Sequence, residues 1–391
     1  MAFNAFFAFV NLKFLPFMYA IIGFGSLIAI HEFGHFFFCK LFGILTPTFS
    51  IGFGPELFRK KIGTTDFRLA LIPLGGYCEI AGNEEVGQGE QAFAKATGDI
   101  SFDSKAYWKK LLVMFGGIIF NLLFAYIVWC VIFMVGKPLE RNVVLVSSIV
   151  KDSAAEKYGL KAGDQISTIN GHNLADPNIG MEVQEILMQE LMSHPNQEVK
   201  LIIERDKKEL ELPITLGSKP SGNKTIGSLG AGFAIQTSIP KMSFFQAITK
   251  GISTTNKWIC DIASSVKTLI SKRSLEGAGG PVMILSQSFS SAQYGFIPLF
   301  IFLALISINL ALINLLPIGA LDGGQILFVT LETIFRRRIP MNVKIAINLA
   351  SWVFFIGLAL FLTYKDIVTL FGDTLSGFDP RMLLSSFGKI K

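Results

Sequence analysis

The chain has 391 residues, 51% of them hydrophobic and only 16% charged, with 37 phenylalanines and a formal net charge of +6. Soluble domains carry about 25% charged residues, so this composition excludes a wholly soluble enzyme and points to a membrane protein with soluble parts. The modest positive charge fits cytosolic loops beside anionic lipid rather than a nucleic-acid partner.

Cys39, Cys78, Cys130 and Cys260 lie far apart with no C-x-x-C pair. They read as small buried hydrophobes, with no disulfide framework and no cysteine metal site. The N-terminal stretch has no basic n-region and no A-x-A site, and its apolar run is too long for a removable signal peptide.

Apolar stretches at about 14–42, 111–135, 296–316 and 345–364 each reach the roughly 20 residues that a spanning helix needs. Lys40, Arg59, Lys60, Lys61, Lys109 and Lys110 lie between the first two, and Arg336, Arg337, Arg338 and Lys344 between the last two. The positive-inside rule makes both of these loops cytosolic. Both termini and the long 136–295 segment are then expected outside the cytoplasm.

The segment from Ser50 to Ala81 is Gly-rich and alternates apolar residues (Phe49, Ile51, Phe53; Phe67, Leu69, Leu71) around a turn at Lys61–Thr65. This predicts a β-hairpin with a free edge whose apolar residues dip into the bilayer. From about 139 to 216 the pattern is that of a small soluble α+β domain. A strand is expected at 143–150, a short helix at 152–158, a tight turn at Asn170-Gly171, a helix at 181–192 and a hairpin around Asp206-Lys207-Lys208. Residues 241–272 form a basic amphipathic helix expected to lie on the membrane surface.

Polar groups at membrane depth are costly and mark function. His31-Glu32-Phe33-Gly34-His35 sits inside the first apolar stretch of a chain with only four histidines. Positions i and i+4 share a helix face, so both imidazoles reach one metal ion, and Glu32 is placed to hold and deprotonate a water. A catalytic zinc needs a third protein ligand and an open position. His172 and His194 fall in the soluble domain. Asp322, after the Pro/Gly-broken run Asn314-Leu315-Leu316-Pro317-Ile318-Gly319-Ala320-Leu321, is the best candidate, and Glu332 is the runner-up.

HEFGH in the first stretch with N-x-x-P-x-x-x-x-D-G-G in a later one resembles the bacterial site-2 proteases of the RseP type, M50 zinc metalloproteases. Gly52-Phe53-Gly54-Pro55, Ile72-Pro73-Leu74-Gly75-Gly76-Tyr77, Gly280-Pro281-Val282 and the run from Leu303 to Leu310 match as well. The resemblance covers nearly the whole chain. It implies a membrane α-helical fold of about four transmembrane helices, with a membrane-associated β-hairpin and an inserted α+β PDZ-like domain. Gly159-Leu160-Lys161-Ala162-Gly163-Asp164 carries the PDZ likeness.

The layout this implies begins with a first transmembrane segment at 1–43, a cytosolic-side loop with the hairpin at 44–110, and a second transmembrane segment at 111–136. An extracytoplasmic PDZ-like domain follows at 137–218, then a linker and amphipathic helix at 219–295. The third transmembrane segment with LDGG is at 296–335, a basic cytosolic loop at 336–344, and the fourth segment with a C-terminal tail at 345–391.

The resemblance further implies Zn2+ held by His31, His35 and Asp322, with Glu32 as catalytic base. Asn314 then helps hold the substrate backbone, and the substrate-binding set takes in Gly52, Gly54, Ile72, Gly75 and Gly76. The expected activity is intramembrane cleavage of pre-trimmed single-span proteins, such as anti-sigma factors or remnant signal peptides, in the bacterial inner membrane. The expected partners are those substrates and the lipid bilayer, with no nucleic acid. The PDZ-like domain is expected to meet the substrate ectodomain or its new C-terminus.

Two rival classes stand beside this reading: a non-proteolytic scaffold, against which the intact Glu32 argues, and a metal transporter, against which the lack of internal repeats argues. The chain departs from the family at Gly319, where proline is usual, at Gln325, where histidine often stands, and at Gly116-Gly117 before Asn121, where Gly-Pro is common. One PDZ-like domain is expected where two are often found.

Overall fold

The computed structural model describes residues 14–83, 93, 97–221, 224–272 and 279–375. The start of the first expected segment (1–13), part of the expected linker (273–278) and the expected C-terminal tail (376–391) lie outside the described residues.

Helix α1 (Leu15–Leu41) opens with Pro16, whose missing N–H and preset φ suit a first turn. It ends at Gly43, where φ is +67°. Strands β1 (Thr48–Ile62) and β2 (Thr65–Cys78) follow, joined through Gly63 at φ +60°. They pair antiparallel with several bulges. Phe49, Ser50 and Ile51 have partners both at 67–69 and at 76–78, so this part of β1 is paired on both of its edges. The hairpin carries Leu57, Phe58, Ile62, Leu71 and Ile72 on its outside. Helix α2 (Tyr107–Val135) is the second long apolar helix.

Residues 130–252 form one of two compact units. It holds β3 (Val143–Ile149), the one-turn helix α3 (Ala154–Lys157), β4 (Gln165–Ile169), β5 (His172–Asn173) and α4 (Val183–Ser193). Then come β6 (Glu198–Arg205), β7 (Lys208–Thr215), β8 (Gly217–Ser221), β9 (Lys224–Ser228) and β10 (Ala231–Gln236). The antiparallel sheet runs β10-β3-β4-β6-β7, with β5 paired to β4, and β8–β9 forms a separate ribbon. Both expected tight turns have left-handed pairs: Asn170 and Gly171 at φ 47° and 84°, Asp206 and Lys207 at 53° and 61°. Val144, Val146, Ile166, Leu187, Leu201 and Ile214 are the centre of its core.

The sheet extends past residue 218, the expected end of this domain, because β10 pairs along β3. Residues 217–236 are Gly- and Ser-rich, which reads as linker, yet they supply three strands. At the start of β4 and the end of β6, Arg205 donates from Nε and an Nη to the two carboxylate oxygens of Asp164, both at 2.6 Å.

The second unit takes in the described residues up to 129 and from 253 onward. After α5 (Phe244–Lys272), which bridges the chain from one unit to the other, come α6 (Pro281–Gln293), α7 (Phe296–Asn314), α8 (Asp322–Phe335) and α9 (Met341–Leu375). Helix α6 has no counterpart among the sequence expectations. Its N-terminus is capped by Asp366 of α9, whose carboxylate accepts from Gly280 N at 3.0 Å and Met283 N at 2.8 Å. The third expected segment, 296–335, is two helices: α7 stops at Asn314, and α8 starts at Asp322 after a tight loop through Pro317. Among the described residues four helices are long and apolar enough to cross a membrane: α1, α2, α7 and α9.

Candidate metal centre

The i, i+4 spacing on α1 sets His31 and His35 on one face, beside Gly34. That face meets α2 at a crossing of glycines. A Cβ on Gly34 would fall 2.1 Å from Gly116 O, and one on Gly116 would fall 2.5 Å from Gly34 O. Backbone therefore touches backbone, which only glycine allows. At Gly117 a side chain would fall 2.3 Å from the His31 ring and 2.6 Å from His35 Nε2. The departure from Gly-Pro at 116–117 thus leaves room for both imidazoles.

Asp322 reaches the same point from the first turn of α8. The loop before it folds back so closely that Cβ atoms on Gly323 and Gly324 would lie 2.4 Å from Leu315 O and 2.2 Å from Ile318 O. The Gly pair after Asp322 is what lets the loop close. Gln325 Nε2 donates to Gly319 O at 3.1 Å, pinning the loop from within α8.

His31 Nε2 and His35 Nε2 are 3.3 Å apart. Asp322 Oδ2 is 3.3 Å from His31 Nε2, and Asp322 Oδ1 is 3.5 Å from His35 Nε2. Tetrahedral zinc with bonds of about 2.0–2.1 Å spaces its ligand atoms about 3.3–3.4 Å apart. Two of the three separations fall at that spacing, and the third, to the other oxygen of Asp322, is slightly longer. Asp322 Oδ2 is closed off from solvent and accepts no hydrogen bond of ordinary geometry, as a carboxylate aimed at a cation would be. Two imidazoles and one carboxylate, with space beside them, are the donor set of a catalytic rather than a structural zinc.

Around the triad is a cavity of about 230 Å³ lined by Glu32, Phe53, Gly76, Tyr77, Asn314 and Trp352, among others. Asn314 Nδ2 lies 3.4 Å from His31 Nε2. Gly76 of β2 packs beside Glu32, with its Cβ position 3.6 Å from Glu32 Cγ.

A sequence profile described as peptidase family M50 matches residues 19–358. The chain belongs to peptidase family M50. Its relatives include a Helicobacter pylori protein provisionally named a zinc metalloprotease, 33% identical over 371 residues, 90% of this chain and 99% of the relative. A Clostridium perfringens protein of the same provisional name is 30% identical over 356 residues, covering 90% of this chain and 98% of its own. The zinc metalloprotease RasP of Bacillus licheniformis is 27% identical over 425 residues, 90% of this chain and 98% of RasP.

In this M50 chain the structure gathers His31, Glu32, His35, Asp322, Asn314 and Gly76 at one cavity. The other expected substrate-binding residues stand apart from its lining. Gly52 and Gly54, at φ +90° and +87°, shape the bend of β1. Gly75 makes room for the Phe53 ring. Ile72 points outward, about half exposed. Glu332 instead accepts from Ile339 N and pairs with Lys344 at 2.8 Å, near the far end of α8. His172 and His194 flank Glu190 in the other unit. Trp352 was missed in the sequence, and Tyr77 and Asn121 entered it only as positions of family motifs, with no place at the site. A lone aromatic in an apolar span carries no local signal, whereas Asn121 is a polar residue at membrane depth and could have been weighed.

Proposed function

We propose that this chain is a zinc endopeptidase that hydrolyses peptide bonds within membrane-spanning segments. The observation that carries the reading is the position of the triad: His31 and His35 lie deep in a 27-residue apolar helix, and Asp322 opens α8 just after the apolar helix α7. A peptidase centre so placed takes its substrate from the bilayer.

His31, His35 and Asp322 hold the zinc, which when bound acts as a Lewis acid toward the scissile carbonyl. Glu32 lies in the cavity and takes the proton of the attacking water, then delivers it to the leaving amine. Asn314 holds the substrate backbone beside His31. A helical substrate has its carbonyls bonded internally and must unwind. The β1–β2 hairpin, with its outward apolar side chains, lies in the membrane and offers an edge to the unwound strand.

The compact unit at 130–252 is a PDZ-like domain outside the cytoplasm. It filters substrates by size, so that single-span proteins already trimmed outside, such as anti-sigma factors and remnant signal peptides, are the ones cleaved. Its support is the GLKAGD pattern together with an antiparallel sheet closed over α4. The basic flanks of the spans support an inner-membrane topology with both termini outside.

The test is cleavage of a single-span protein by the purified chain, with the cut site mapped by mass spectrometry. A cut inside the apolar segment is expected. Cuts confined to its soluble flanks would overturn the reading.

A further inference from the structure

Each imidazole of the pair has a second nitrogen, and the two are held differently. His35 Nδ1 lies 2.8 Å from Val113 O, a main-chain acceptor that any residue at 113 would supply. His31 Nδ1 lies 3.1 Å from the side-chain amide nitrogen of Asn121. Asn121 is fully buried, and its Oδ1 is left without a hydrogen-bond partner. Its main chain is tied in turn to α7, where Ser307 Oγ donates to Asn121 O at 2.9 Å. Gly117 stands one helical turn before it, on the same face of α2, at the position where a side chain would strike the His31 ring.

An imidazole that gives its Nε2 lone pair to a metal keeps its hydrogen on Nδ1. A hydrogen there needs an acceptor, and an amide NH2 facing it would set two donors against each other at 3.1 Å. A half-turn of the Asn121 amide about its Cβ–Cγ bond replaces Nδ2 by Oδ1 at that place. Oδ1 then gains the hydrogen it lacks, and Nδ1–H faces a side-chain acceptor in place of a second donor, beside the main-chain acceptor that Gly117 offers the same ring. We propose that Asn121 is a positioning residue for the metal centre: its Oδ1 accepts from His31 Nδ1–H and so fixes the tautomer in which Nε2 faces the zinc.

The proposal rests on the reading of His31 as a zinc ligand. Asn121 has no solvent exposure and does not line the cavity, so it acts through His31 rather than on substrate. Outer partners of metal-bound histidines are worth about 10–100-fold in metal affinity.

The test compares zinc retention by the full chain in detergent, measured as loss to a chromophoric chelator, for wild type and for Asn121→Leu, Asn121→Asp and His31→Ala. Leu keeps the shape without the acceptor, while Asp keeps an acceptor and removes the donor. Asn121→Leu is expected to weaken retention about 10–100-fold and Asn121→Asp by less than roughly threefold. Equal weakening of the two would overturn the proposal, since the amide would then serve as donor or filler. So would wild-type retention by Asn121→Leu. Zinc kept by His31→Ala would overturn the reading of His31 as ligand, and the proposal with it. A readout without substitution settles the matter if a variant fails to fold. The chain has four histidines, so ring-nitrogen resonances of the zinc-loaded wild type can be assigned. A protonated His31 Nδ1 is expected, and an unprotonated one would overturn the proposal.

Discussion

His31 Nε2 and His35 Nε2 stand 3.3 Å apart on successive turns of α1, with Asp322 closing the third corner from α8. Three groups of such polarity do not converge in an apolar helix packing by chance. Glycines at 34, 116, 117, 323 and 324 remove every side chain that would hold the corners apart. The candidate metal centre is thus shaped as much by missing Cβ atoms as by the three side chains that meet there.

His31→Ala and Asp322→Asn should both lose zinc, whereas Glu332→Gln should retain it, because Glu332 is engaged by Lys344 and Ile339 N at the other end of α8. Elemental analysis of the purified variants checks this. Zinc lost in Glu332→Gln and kept in Asp322→Asn would move the third ligand.

Gly34→Ala should be more damaging than its single methyl suggests. The new Cβ would fall on backbone at Gly116, which no rotamer change relieves, so α1 and α2 must part. A loss of roughly 3 kcal/mol or more is expected, with zinc retention falling alongside. Gly159→Ala serves as the comparison: it must bear φ +76° but meets no neighbour. A thermal midpoint and zinc content for Gly34→Ala equal to wild type would show that the helices do not cross there.

The meeting of His31 and His35 was legible because a helix turns every 3.6 residues, which puts positions i and i+4 of H-E-x-x-H on one face. Asp322 was legible from the Pro and Gly around it, although why two glycines follow it appeared only in the loop folded back onto α8. The spans were legible from length and hydropathy. What escaped were contacts without a local signal. β10 lies in a Gly/Ser-rich stretch whose pairing with β3, some 80 residues away in sequence, leaves a weak period. The α6 cap depends on Asp366, and Asn121 gained meaning only once His31 Nδ1 was seen beside it.

The Asp164–Arg205 pair gives the 130–252 unit an acid limit. Burial alone would raise the Asp164 carboxyl, but hydrogen bonds from Arg205 and from Lys161 N outweigh it and hold the group below its ordinary 3.8. A depressed carboxyl contributes stability in full above pH 3.8 and loses it as pH falls toward the lower folded value. Protection of the β4 and β6 amides from hydrogen exchange, taken relative to the intrinsic rate at each pH, should therefore fall below about pH 4. Asp164→Asn should show that weakening already at neutral pH, by roughly 2–3 kcal/mol. Wild-type protection in that variant would contradict the assignment.

Deleting 139–237 takes out the sheet with β10 included, where a cut at 216 would strand β10. Among the described residues, none of the His31–His35–Asp322 cluster or of its cavity lies in that range. The shortened chain should still cleave trimmed substrates and should begin to cleave untrimmed ones. Loss of all cleavage with zinc still bound would assign the domain an essential presenting role instead of a filtering one.

If Glu32 is the proton carrier of a zinc peptidase acting inside the membrane, turnover of a transmembrane substrate by Glu32→Gln shows it without further assumption. The amide fills the same place in the cavity but takes no proton, and both the water-activation and leaving-group steps lose their carrier. We expect zinc content equal to wild type with turnover lower by at least about a thousandfold. Turnover within tenfold of wild type would exclude Glu32 as the carrier.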